Sequence, residues 1–188
     1  MNSTRIREIY EQRLSFMKMM ESPDNLPQLL QMDKKIKADE AELRRYALDG
    51  YSEAQHAIEG IYGLPKGAVA KRIADIKAMQ QKADNGDTLA MAELGREYYF
   101  GFFIERRLDI AVELFEKAKE KNSVAMYYLG EIYSLENEYP DYSFEKAKEY
   151  MGKAIEAGPD KDGYIGGVVD FEKAKEAYES IAKKLSHM

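Results

Sequence analysis

The sequence predicts an all-α protein, and three observations predict it: a composition rich in helix formers, apolar residues at helical spacing, and a return of that spacing every 35 or 36 residues. Across 188 residues, Ala, Glu, Leu, Lys and Arg number 85, while Val and Thr number seven, a balance that favours helix over strand. Ala54, Ile58 and Tyr62 are followed by Ala90, Leu94 and Tyr98 and then by Ala125, Leu129 and Tyr133, each set at i, i+4, i+8. That spacing lines one face of a 3.6-residue helix. A second series, Ala47, Ala83, Ala118 and Ala154, steps by 36, 35 and 36 and precedes short polar turns. Each period therefore holds two helices. Such a hairpin cannot bury its apolar face alone, so successive copies stack and share a core.

In chain order, residues 3–20 read as a leading amphipathic helix and residues 26–48 as a long second helix, with Pro23 and Pro27 bracketing the break. Residues 1–49 are expected to form an N-terminal helical extension. Three hairpins follow over 50–158: a weak copy at 50–86 and strong copies at 87–121 and 122–158. Gly50 and Gly86 stand where helix C-caps turn left-handed. Ala54, Ala90 and Ala125 let neighbouring helices approach, and Leu94 and Leu129 fill the space between them. After Gly158, GGVVDFEKAKEAY holds the loop and second helix of a further copy without its first helix. Residues 159–188 are thus expected to be a partial repeat with a C-terminal capping helix.

The period itself resembles a known family. Residues 87–121, DTLAMAELGREYYFGFFIERRLDIAVELFEKAKEK, are similar to a Sel1-like repeat through Ala90, Leu94, Gly95, Tyr98, Gly101, Ile104, Ala111, Phe115, Lys117 and Ala118. Residues 122–158 resemble it through Ala125, Leu129, Gly130, Tyr133, Lys146, Ala147, Tyr150, Lys153, Ala154 and Gly158. Phe103 replaces a loop glycine, Arg107 an acidic position, and Glu136 and Glu138 the loop glycines of the second copy, so the loops depart from the family more than the helices do. The periods and the glycine after Tyr98 favour this family over the tetratricopeptide repeat, whose period is about 34 residues. The resemblance implies a right-handed α-solenoid of about nine helices, with an adaptor or scaffold role through the concave face of its first helices.

The net charge is −6, with no cysteine and two histidines, His56 and His187, far apart in sequence. Thiolate chemistry and disulfides are excluded, and imidazole chemistry has little to work with. Mixed basic and acidic residues argue against a phosphate-binding surface, so no nucleic-acid partner is expected. No eighteen apolar residues run together, and Glu8 and Glu11 interrupt the stretch a signal peptide would need. A cytoplasmic protein with no membrane partner is the expectation.

Candidate chemistry is sparse, and no catalytic residue, metal, cofactor or small-molecule substrate is expected. GIYGLPKGAVAKR, from Gly60, lacks the spacing of a phosphate loop and reads as an inter-helix connection. The segment from Asp160 to Ile165 holds only part of a calcium-loop pattern. Asp39, Glu40 and Glu42 read as a solvated helix face. FEKAKE occurs at 115, 144 and 171 without keeping the repeat register, as a helix-compatible hexapeptide. Two loops are better candidates. YYFGFFIERR, residues 98–107, places aromatics around Gly101 that cannot all point inward, and aromatic anchors are common interface hot spots. EIYSLENEYPDYSFE, residues 131–145, holds five acids and no base, which suits steering toward a basic protein surface. The expected function is non-enzymatic binding of another protein, with an immunity or inhibitor protein that masks an enzyme as the alternative. The partner-binding candidates are Tyr99, Phe102, Phe103, Tyr127, Glu136, Glu138, Tyr139, Asp141 and Tyr142.

Overall fold

The computed structural model describes residues 3–187; Met1, Asn2 and Met188, which belong to the terminal segments above, lie outside the described residues. Helices dominate: α1 (Ser3–Met19), α2 (Leu26–Leu48), α3 (Ser52–Tyr62), α4 (Ala68–Asp84), α5 (Thr88–Phe100), α6 (Leu108–Ala118), α7 (Ser123–Tyr133), α8 (Phe144–Glu156) and α9 (Phe171–Leu185). Among the described residues the only strands are β1 (Tyr164–Ile165) and β2 (Val169–Asp170), an antiparallel pair with Tyr164 opposite Asp170 and Ile165 opposite Val169. The fold is all-α, as the sequence predicts, and the helix count agrees. The periodic positions do what their spacing demands. Ala54, Ala125, Leu94, Leu129, Ala47, Ala118 and Ala154 are fully buried or within 1 % of it.

Local signals set the helix ends. The break between α1 and α2 is a short turn, Pro23–Asn25, and Pro27 sits in the first turn of α2, where its missing N–H costs nothing. The residue just before the helix caps α5, α7, α8 and α9: Asp87 Oδ1 accepts from Ala90 N at 3.1 Å, Asn122 Oδ1 from Ala125 N at 3.1 Å, Ser143 Oγ from Lys146 N at 3.3 Å and Asp170 Oδ1 from Lys173 N at 3.0 Å. Each satisfies a donor that the helix start leaves open. Gly50 and Gly86 adopt φ of 97° and 87°, as the predicted C-caps require. FEKAKE begins α8 and α9 behind a cap but ends α6, so its three copies are not equivalent in structure.

The chain divides into two compact units: the described residues through Lys77 with Gly101–Arg106, and Ala78–Phe100 with Arg107 onward. In the first unit, Ile6 and Ile9 of α1 pack with Leu43, Ala47, Ile58, Ile61, Val69 and Ile73. Beside this core runs a seam of charge. Arg5 meets Asp39 and Glu42 at 2.7 Å each, and Arg13 meets Glu40 at 2.5 Å. The expected solvated face at Asp39, Glu40 and Glu42 is therefore corrected: Asp39 is buried, and its neighbours are half-buried. Arg5 and Arg13 stand eight residues apart on one face of α1, which carries both to α2.

In the second unit, α5 with α6 and α7 with α8 form successive hairpins, and α9 packs on α8. Phe115, Leu129, Ile132 and Met151 fill the core. Gly95 lets the Phe115 ring lie against α5, and Gly130 lets α7 approach the Ala147 and Met151 backbone of α8. The two motif glycines are close-approach sites.

Candidate functional site

The aromatic loop at 98–107 is divided by Gly101. This residue is buried at φ 63°, and a Cβ there would stand 2.7 Å from Arg106 Cα, so only glycine makes the turn. Beyond it, Phe102 lies 4.8 Å from Tyr62 and 4.7 Å from Phe103, while Phe103 packs on the core of the first unit. Arg44 holds this turn from below, its Nε donating to the Phe102 carbonyl at 3.0 Å and its Nη2 to the Tyr62 hydroxyl at 2.7 Å. Before Gly101, Tyr99 and Phe100 meet edge-on at 5.0 Å and both approach Tyr128, at 5.1 and 5.9 Å. The ring contacts of Phe102 and Phe103 thus lie within the first unit and those of Tyr99 and Phe100 within the second.

Tyr99 and Phe100 open onto a cavity of the second unit, about 360 Å³ in volume. Its wall continues through Tyr127, Tyr128 and Glu131 of α7, and the hairpin closes the far side with Tyr164, Val168 and Val169. Asp170 and Lys173, at the start of α9, stand at the edge. The sequence points to Tyr99 and Tyr127, and to Glu131 only as part of the acidic loop, but not to Tyr128, Tyr164 or Lys173, because nothing in the spacing shows that the hairpin returns to α7.

Glu131 was expected in the acidic loop. It belongs instead to α7, one turn after Tyr127, which places both on one helix face. Burial pushes the Glu131 carboxyl above its ordinary value, against the opposing effect of a hydrogen bond from the Tyr127 hydroxyl. Burial likewise raises Tyr127, with the Glu131 charge adding to it. Burial also raises Tyr128, opposed by the nearby Arg96 guanidinium.

The loop between α7 and α8 is residues 134–143, closed where Ser143 N donates to the Tyr133 carbonyl at 2.9 Å. Glu136, Glu138 and Asp141 are exposed on it. Tyr139 is half-buried, edge-on to Tyr133 at 5.7 Å, and Tyr142 is exposed, edge-on to Phe144 at 5.9 Å. Tyr133 stacks on Tyr150 at 5.8 Å, and burial pushes its hydroxyl up to about 12. Tyr150 in turn donates to Glu116 at 2.7 Å, beside Lys119. The acidic loop thus stands on a packed tyrosine base.

The remaining sequence candidates have structural explanations. The start of α4, after the glycine-rich stretch, already receives a carboxylate, since buried Glu59 accepts from Val69 N at 3.2 Å. Asp160 Oδ1 accepts from the backbone N–H of Asp162 and Tyr164, both at 3.0 Å, and these bonds hold its carboxyl below the ordinary range. Such geometry is a side-chain-closed turn. His56 is exposed on α3, beside a shallow hollow with Arg7, Tyr10 and Glu53. Among the described residues, no three His, Asp or Glu side chains gather at metal-binding distance, and no helix is long and apolar enough to cross a membrane.

Comparison with known proteins places this geometry in context. The Sel1 repeat family matches residues 88–123 and 123–159. Comparison with curated proteins gave no match. Among solved structures, the chain is similar to a protective antigen present in uropathogenic Escherichia coli strains and described as displaying an SLR fold. The two are 19 % identical with a TM-score of 0.45, over 79 % of this chain and 38 % of that one. The chain therefore spans little more than a third of that protein's length.

Proposed function

From a chain whose residues 88–159 are two tandem Sel1 repeats, a protein-interaction repeat type, we propose that the protein is a non-enzymatic binding module. It holds another protein against the α5, α7 and hairpin cavity. The observation that carries this reading is the wall of that cavity: Tyr99, Phe100, Tyr127 and Tyr164 present ring surface around an open hollow. Phe100 is 57 % exposed and Tyr164 41 %. Aromatic side chains of this kind supply contact area at low entropic cost and dominate protein interfaces. Glu136, Glu138 and Asp141 add steering for a partner with a basic face, with Tyr139 and Tyr142 as contacts beside them. Phe103 packs on the core of the first unit and Phe102 stays 38 % exposed beside it, so the two are secondary contact candidates.

The test is affinity capture from the source cell with the tagged full chain, alongside Tyr99→Ala/Tyr127→Ala. A partner retained by the native chain and lost by the double variant, with the variant's melting temperature little changed, supports the reading. Equal capture by both proteins places binding elsewhere and sinks it. Partner activity that persists at equimolar complex identifies an adaptor, and abolished activity an inhibitor.

A further inference from the structure

We propose that the cavity between α5, α7 and the hairpin receives an arginine side chain of the partner, with the guanidinium between tyrosine rings and paired to Glu131. The inference rests on the binding-module reading above and names the chemistry of its central contact. Three features of the cavity point to a cation. Its walls are mostly rings: Tyr128 is already engaged, stacked on Phe115 and facing the Arg96 guanidinium at 5.8 Å, while Tyr99, Phe100, Tyr127 and Tyr164 complete the lining, and electron-rich ring faces attract a positive charge within about 6 Å. A carboxylate stands among them, and burying one costs free energy unless it gains a partner. Yet the group beside Glu131 is the neutral Tyr127 hydroxyl, and burial and that hydroxyl are what act on its carboxyl, with no lysine or arginine charge among them.

The two other charged groups of the cavity do not fill this place. Lys173 is exposed at the rim, and Asp170 is engaged in capping α9, accepting from Lys173 N at 3.0 Å. A volume of about 360 Å³ is at the small end of ligand cavities, which run from roughly 300 to 1,000 Å³. It suits one long side chain better than a folded ligand. Arginine fits better than lysine because its planar guanidinium stacks on rings and meets a carboxylate with two parallel donors. The ammonium of lysine is a point charge that holds its water more tightly.

The experiment is an NMR titration of the full chain with Nα-acetyl-arginine methylamide, compared with the citrulline and lysine analogues. Citrulline keeps the shape of arginine and removes its charge. The expected result is weak, saturable binding of the arginine probe, with shifts centred on Tyr99, Tyr127, Glu131 and Tyr164. The citrulline probe should bind about tenfold more weakly. Glu131→Gln should cut arginine affinity by a similar factor while leaving citrulline unchanged. Equal binding of arginine and citrulline overturns the proposal, as does equal or tighter binding of lysine. Arginine shifts centred on Glu136, Glu138 and Asp141 also overturn it, since they would report attraction to the open acidic loop. If the probes fail but capture of a protein partner still depends on Tyr99 and Tyr127, the arginine contact is wrong and the binding-module reading stands. Loss of both removes the cavity from function.

Discussion

The ring of Phe115 lies so close to Gly95 that a Cβ on the glycine would stand 2.7 Å from its Cε1 atom. Phe115 has no room to yield, being fully buried and stacked on Tyr128 at 5.4 Å with the planes 11° apart. Gly95→Ala should therefore destabilise the protein. Overpacking costs about 1–3 kcal/mol, partly offset by the roughly 1 kcal/mol that alanine gains in a helix. Gly152 is the internal control, since a Cβ there meets only Tyr178, at an ordinary 3.4 Å. Gly152→Ala should be neutral or raise the melting temperature. Two variants with the same melting behaviour would remove the close-approach explanation.

Much of this packing was legible in the sequence. Ala54, Leu94 and Leu129 repeat at helical spacing because the buried stripe of each first helix must, and Gly50 and Gly86 punctuate helices because left-handed backbone favours glycine. The hidden features depend on pairs distant in sequence. Nothing local to Asp39 shows that Arg5 will reach it, so a charged stretch and a buried ion pair look alike. Glu131 looks like a loop acid until α7 is seen to continue through Tyr133. Phe100 and Phe102 are two residues apart, yet their ring contacts belong to different units, and nothing local to the sequence shows that the chain turns left-handed at Gly101 between them.

Arg5 should be the costliest surface-accessible residue of the first unit. Arg5→Gln leaves buried Asp39 without its cation, and breaking such a pair costs about 2–3 kcal/mol when one partner is partly wet. The loss should depend on pH. The Arg5 hydrogen bond holds the Glu42 carboxyl below its ordinary 4.5, so its stabilisation is full above that value and fades as pH falls through the lower folded one. Urea titrations of both proteins at neutral and acid pH should show the gap narrowing in acid. A constant gap would mean that the charge of Glu42 is irrelevant.

Glu131→Gln should have the opposite sign. A carboxyl raised by burial resists ionisation in the folded chain, so stability is full below its ordinary 4.5 and is lost as pH rises through the higher folded value. The glutamine variant never ionises. It should melt higher than the native protein at neutral pH, and the advantage should disappear at about pH 3.5. A variant that melts lower at neutral pH would show that the Tyr127 hydrogen bond outweighs desolvation.

The divided aromatic loop gives a direct contrast. Phe103→Ala removes a ring packed on the first unit's core and should cost about 2–3 kcal/mol. Phe100→Ala removes a mostly exposed ring held by two edge contacts, and should cost less than about 1 kcal/mol. Denaturant midpoints in the reverse order would contradict the assignment of the two rings.

Once a partner is in hand, neutralising Glu136, Glu138 and Asp141 together should slow association and flatten its dependence on salt, with little change in dissociation. Residues 101–150 hold seven basic and eleven acidic side chains, a balance of −4, so most of the net charge of −6 surrounds this loop. Unchanged association rates in stopped flow would leave the loop without a steering role.

The hairpin at Tyr164–Asp170 stands where a further first helix would fall in the sequence period. In the preceding copies, α5 and α7 are helices of 13 and 11 residues; after Gly158 the same position in the period yields two strands of two residues. Ile165 and Val169 still seal the core, at 0 % and 6 % exposure. The face of α7 that bears Tyr127 and Glu131 is left lining a cavity rather than another helix. The cavity is open there because two short strands, and not the flank of a long helix, face α7. Restoring a full helix between Gly158 and Asp170 would fill that opening and abolish the cavity.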